Sequence, residues 1–205
     1  TAATRGRRDT QPERWRRRST LLSCGIPSCC RFLATDSMLF VNLIVTYFTL
    51  RFRSPAWPPD GTPKPELLMA GIATILLRAS SGPVQGADYS MAKGHVGRAK
   101  LGLAAGFILG STFLALQVVG ALQWTFTLGS SAYSSVFIIL TSFHAAHVLT
   151  GLIMLALALL LVWMGYYREG HRVGLQNTVL FWHFIDIIWV FVFATLHLSP
   201  YGPLH

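Results

Sequence analysis

Five stretches of the chain are apolar over a length that a membrane helix needs. A hydrocarbon core of about 30 Å takes roughly 20 helical residues, because every backbone polar group must pair within the segment. The pattern predicts spans over residues 32–52, 67–87, 101–122, 133–164 and 178–198. The first ends at Arg51 and Arg53, and Pro55, Pro58, Pro59 and Pro63 forbid a helix through the loop that follows. The second is interrupted by Arg78 and by Ser80, Ser81, Gly82 and Pro83. In the third, Gly102, Gly106 and Gly110 recur every four residues, a small face that lets another helix approach closely. The fourth exceeds a bilayer's need, which implies tilt or an interfacial extension. No internal repeat is visible, which disfavours a transporter built from repeated halves. The expected fold is therefore an all-α bundle of five transmembrane helices.

Composition agrees. Of 205 residues, 52% are hydrophobic and only 12% charged, with mean hydropathy +0.48; soluble domains carry about 25% charge. The net charge is +9, and its placement explains it without nucleic acid. Arg5, Arg7, Arg8, Arg14, Arg16, Arg17, Arg18 and Arg31 crowd a basic tail, residues 1–31, ahead of the membrane domain, residues 32–205. Lys93, Arg98 and Lys100 fill one loop, and Arg168 and Arg172 another. The loop around Trp57 is nearly balanced, and residues 123–132 carry no charge. Basic loops stay inside, so the N-terminus is expected inside and the C-terminus outside. An odd number of spans requires the same. The tail resembles a targeting presequence only weakly, because it contains Asp9 and Glu13. Cys24, Cys29 and Cys30 read as free thiols on a reducing face. Trp15, Trp57, Trp124 and Trp163 fall near interfaces, as an aromatic belt would.

Ionisable side chains inside a membrane are costly and turn towards protein or water. His144 and His147 share one helix face, as do His183 and Asp186, which Trp182 and Trp189 flank. Two neighbouring helices could thus set two histidines against a histidine and an aspartate. The spacing suits a metal site, a proton path, or a hydrogen-bonded staple between the helices; the staple is preferred, because buried polar groups must be paired. Asp36 is expected near the inner end of its span. It is either a helix N-terminal acid favoured by the dipole or a buried carboxyl near a proton entry, with Arg78 snorkelling inward to pair with it. The remaining alternative is a stand-alone small transporter or proton channel, which would need a wet path from Asp36 to the His144–Asp186 group.

Three segments carry a resemblance to a known family. SFHAAHVLTG (142–151) resembles the FHxxHVxxG signature of subunit III of haem-copper respiratory oxidases. FWHFIDIIWVFVF (181–193) is similar to that family's last helix, WHFxDxxWxFxF, and LATDSMLF (33–40) to its SExMxF segment, ahead of a WPP loop that here reads AWPPDG (56–61). The similarity covers residues 33–198 and corresponds to the short, five-helix form. It implies a non-catalytic core subunit of a proton-pumping terminal oxidase. Such a subunit would pack against subunit I, with subunit II and small subunits nearby, in a bacterial plasma membrane or mitochondrial inner membrane. It would hold phospholipid but neither haem nor copper, which belong to the partner subunits. The histidine count fits: His95, His171 and His205 lie outside the spans, His197 lies near a span end, and two helices carry the rest. Asp36 then matches the family's buried carboxyl, usually Glu, on the side facing subunit I and the mouth of its proton channel. His144, His147, His183, Asp186 and Trp182 match polar residues of the last two helices. Arg78, Trp57 and Trp182 are expected lipid or ion-pair contacts. Arg78 departs from the family, whose members usually have an apolar or small residue there. The AWPPDG loop favours cytochrome c as electron donor; a quinol oxidase or a nitric oxide reductase-associated homologue is the alternative.

Overall fold

A computed structural model describes residues 26–54, 57, 67–124, 127–167 and 173–199. Residues 1–25 of the basic tail with Trp15 and Cys24, the loop prolines Pro55, Pro58, Pro59, Pro63 and Pro65, Asp60, Lys64, Glu66, Arg168, His171, Arg172 and residues 200–205 lie outside these. Among the described residues, five helices are long and apolar enough to cross a membrane: α1 (Ile26–Arg53), α2 (Leu67–Ala92), α3 (Val96–Leu122), α4 (Ala132–Trp163) and α5 (Val173–Phe193). A π-helical turn, Ala194–Leu198, carries α5 onward. Among the described residues there is no strand.

The ends of the elements follow local chemistry. Ser131 caps α4: its hydroxyl accepts from the Ser134 N–H at 3.0 Å, and the Ser134 hydroxyl accepts from the Ser131 N–H at 2.9 Å. At the other end of α4, Gly165 adopts φ +70°. The turn closes there through Gly165 N–H to Val162 and Tyr166 N–H to Leu161. Gly94 does the same after α2, at φ +75°, with bonds to Met91 and from His95 to Ser90. Positive φ is what glycine adopts without a Cβ clash, so both helices end in a left-handed turn.

Four boundaries extend beyond the expected spans: the starts of α1, α3 and α5, and the end of α2. α1 begins at Ile26, so Asp36 sits well inside the helix; its first turn holds no acid. The reading of Asp36 as a dipole-stabilised N-terminal acid is thereby excluded. α2 runs unbroken through Ser80, Ser81, Gly82 and Pro83 to Ala92. One proline forfeits a single N–H donor, a loss that membrane helices tolerate when neighbours cover the freed groups.

In cross-section, α2, α3, α4 and α5 form a ring in which each packs on the next and α5 closes onto α2, while α1 lies against α4 and α5. The glycine face of α3 is spent inside this ring. A Cβ on Gly102 would lie 2.5 Å from the Pro83 carbonyl oxygen, and one on Gly106 would overlap the Val84 side chain. One on Gly110 would lie 2.5 Å from the Trp182 ring. The core fills with Trp182, Trp189, Phe113, Leu103, Leu140 and Leu155, all buried.

Candidate functional site

The intramembrane polar residues sort into two seams. The first joins α1 to α4. His147 Nε2 lies 3.1 Å from Asp36 Oδ1 and 3.0 Å from Oδ2, and His147 Nδ1 lies 2.7 Å from the Phe143 carbonyl oxygen. That carbonyl can only accept, so Nδ1 carries a proton. Nε2 then meets the carboxyl group either as a second N–H donor or as acceptor of a carboxyl O–H. In both cases one further proton is shared by the pair, whose side chains are only 12% and 18% exposed. The Phe40 ring packs edge-on against the imidazole at 5.1 Å.

The second seam joins α5 to α2. Asp186 Oδ2 accepts from Arg78 Nη1 at 2.9 Å and from the Ser81 hydroxyl at 3.0 Å. Trp182 Nε1–H donates to the Ser80 hydroxyl at 3.0 Å, and Trp189 Nε1–H to the Thr74 hydroxyl at 2.9 Å. His183 Nε2 lies 2.8 Å from Gln85 Oε1. Membrane helices gain no hydrophobic drive from each other, so such cross-helix bonds and close packing specify their neighbours.

Two expectations are corrected. Arg78 pairs with Asp186, not Asp36, because α2 packs on α5 and Asp36 faces α4. The staple between α4 and α5 does not form either. His147 turns to α1, His183 and Asp186 turn to α2, and His144 is left wholly buried between aromatic rings. The Phe113 ring lies 6.0 Å and the Trp189 ring 4.7 Å from the His144 ring, and no hydrogen bond reaches either His144 nitrogen. Among the described residues no three His, Cys, Asp or Glu side chains converge. The groups a stand-alone channel would string together are divided between two helix pairs.

Thr74, Ser80, Ser81 and Gln85 are site residues that sequence reasoning missed. The signal was present: Thr74, Arg78, Ser81 and Gln85 stand four, three and four residues apart, one face of a helix. Trp57 also differs from its belt assignment. Its indole N–H donates to the Tyr47 hydroxyl at 3.0 Å, and its ring packs edge-on to Tyr47 and Tyr133. The Tyr47 hydroxyl in turn lies 2.9 Å from that of Ser199, tying α1 to the end of the α5 turn. Trp163, the last residue of α4, is 68% exposed. It borders an apolar groove of about 290 Å³ lined by Phe107, Ala156, Leu159 and Leu160, with Lys100 Nζ 4.9 Å above its ring.

The family model described as cytochrome c oxidase subunit III matches residues 22–200. Cytochrome c oxidase subunit 3 of Synechocystis sp. is 33% identical over 178 residues, 82% of this chain and 72% of the relative. The protein of the same name from Thermostichus vulcanus is 29% identical over 171 residues, 82% and 83% of the two chains. That from Neurospora crassa is 27% identical over 172 residues, 81% and 64%.

Proposed function

The chain belongs to the cytochrome c oxidase subunit III family, and from that premise we propose that it acts as a non-catalytic core subunit of a proton-pumping haem-copper terminal oxidase. Subunits I and II would hold the haem and copper, and cytochrome c would supply the electrons. The match across all five spans carries this reading. The names of the relatives support the choice of donor. The divergent directions of His144, His147 and His183 support a supporting rather than a catalytic role.

Within that role, the Asp36–His147 pair is the group suited to proton handling. It holds one shared proton in a dry setting, on the helix that lies outside the four-helix ring and is therefore open to a neighbour. Such a pair gives or takes a proton by a small movement, since either member can carry the shared proton. The basic junction of α2 and α3, with Lys93, Arg98 and Lys100, would face inside and the C-terminus outside. The groove at Trp163 suits one acyl chain of a phospholipid, with Lys100 at headgroup level for its phosphate.

Removal and return of the chain tests the role. Oxidase stripped of this subunit is expected to keep its haem spectrum and initial O₂ reduction but to inactivate sooner during turnover, and re-addition should restore endurance. Loss of the haem spectrum on removal would assign the cofactor to this chain and overturn the reading.

A further inference from the structure

Arg78 takes no part in the proposed proton handling, and its setting is unusual for a membrane helix. It lies near the middle of α2, roughly 15–20 Å from either end at about 1.5 Å per residue. Its side chain is 55% exposed, whereas that of Asp186 is 4% exposed. The 2.9 Å contact to Asp186, itself near the middle of the last span, fixes the guanidinium at that depth and prevents it from snorkelling to an interface. One of its nitrogens, Nη1, serves Asp186; a guanidinium carries five N–H donors. A charged side chain facing lipid at mid-bilayer costs about 2.5–3.5 kcal/mol even on a lenient scale.

The surface beside Arg78 is shaped for a helix. Gly71, Gly82 and Gly86 lie within about 80° of Arg78 around α2, at 100° per residue. A Cβ added to any of them would meet nothing within 4 Å. Gly102, Gly106 and Gly110 of α3 are filled by their neighbours, whereas these face outward. Small residues four apart allow close backbone approach by a second helix.

We propose that the α2 face around Arg78, Gly82 and Gly86 is a docking surface, covered by a transmembrane helix of another subunit that offers Arg78 a neutral hydrogen-bond acceptor, a hydroxyl or an amide carbonyl. The inference rests on the oxidase-subunit reading. The acceptor is neutral because Asp186 already balances Arg78, and a second carboxylate would leave net negative charge at mid-bilayer. A phospholipid phosphate sits about half the core thickness away, too far from this anchored guanidinium. A symmetric pairing with a second copy would bring two Arg78 residues together.

The test is photocrosslinking in native membranes, with p-benzoylphenylalanine in place of Ile75, which is 69% exposed on the same face. The expected adduct joins residue 75 to a transmembrane segment of another subunit of a haem-containing complex. Adducts with lipid alone, or with a second copy of this chain, in preparations that contain haem would overturn the docking surface and leave the oxidase reading standing. Absence of haem from preparations of the unmodified chain would overturn the oxidase reading and this inference with it. As a second measurement, Gly82→Leu should lower the haem recovered per chain roughly tenfold, as overpacking a close helix contact does, at an unchanged level of the chain in the membrane. An unchanged haem ratio would overturn the proposal.

Discussion

Substituting Gly110 by alanine places a methyl group where the structure has no room. The new Cβ would lie 2.5 and 2.7 Å from two carbons of the Trp182 ring and 3.1 Å from Leu152 Cδ2. Trp182 cannot retreat towards α4, because its ring already rests against Gly151, whose own Cβ position lies 3.0 Å from it. Nor can it rotate freely, because its N–H is bonded to Ser80 in a buried site. Overpacking a core typically costs 1–3 kcal/mol. If the ring yields and its donor loses Ser80, a further ~1–3 kcal/mol is at stake. Gly110→Ala should therefore destabilise the chain by about 2–4 kcal/mol. Gly120→Ala supplies the comparison: it lies in the same helix and its Cβ would meet nothing within 4 Å. It should be neutral or gain up to about 0.5–1 kcal/mol from reduced backbone entropy. Reversible unfolding in mixed micelles, followed by near-ultraviolet circular dichroism of the tryptophans, reads both. Equal stability of the two variants would refute the account of how Trp182 is seated.

Three further outcomes follow from the seams. Arg78→Gln and Asp186→Asn should be non-additive in the same unfolding assay, with a coupling of about 1–3 kcal/mol; additive losses would mean that the 2.9 Å pair contributes nothing. Asp36→Asn and His147→Gln should each slow turnover of the assembled oxidase, and the double variant should be no slower than the worse single, because either change destroys the one shared proton; multiplying defects would show that the two act separately. Lys100→Gln should lower retention of an anionic phospholipid by the purified complex roughly fivefold, the equivalent of about 1 kcal/mol for one lysine near a headgroup; unchanged lipid content would remove the groove from consideration.

The five spans were legible because length and apolarity alone decide what can cross a bilayer. The α3 glycine face was legible from spacing. Asp36, His147 and Asp186 stood out as costly groups that must be paired. Their partners were not legible. Periodicity states which residues share a face of a helix, but the order of helices around the ring decides which face meets which. Arg78 could reach Asp186 only because α2 lies on α5, and nothing local to either helix encodes that. Ser80 and Ser81 looked like weak points in a span, since hydroxyls and a nearby proline read as breakers; in the ring they are the partners of Trp182 and Asp186. The late start assigned to α1 had a similar cause. Pro27, Ser28 and Arg31 lower the local hydropathy, yet α1 continues back through them to Ile26.

The central claim is that this chain is built into a haem-copper oxidase as a supporting subunit. Purification from native membranes in mild detergent, with an absorption spectrum, subunit masses and cytochrome c oxidation measured on one sample, tests it most directly. The account predicts haem bands and a haem-bearing subunit I that co-purifies with this chain and oxidises cytochrome c. A haem-free chain isolated alone, under conditions that keep respiratory complexes intact, would contradict it.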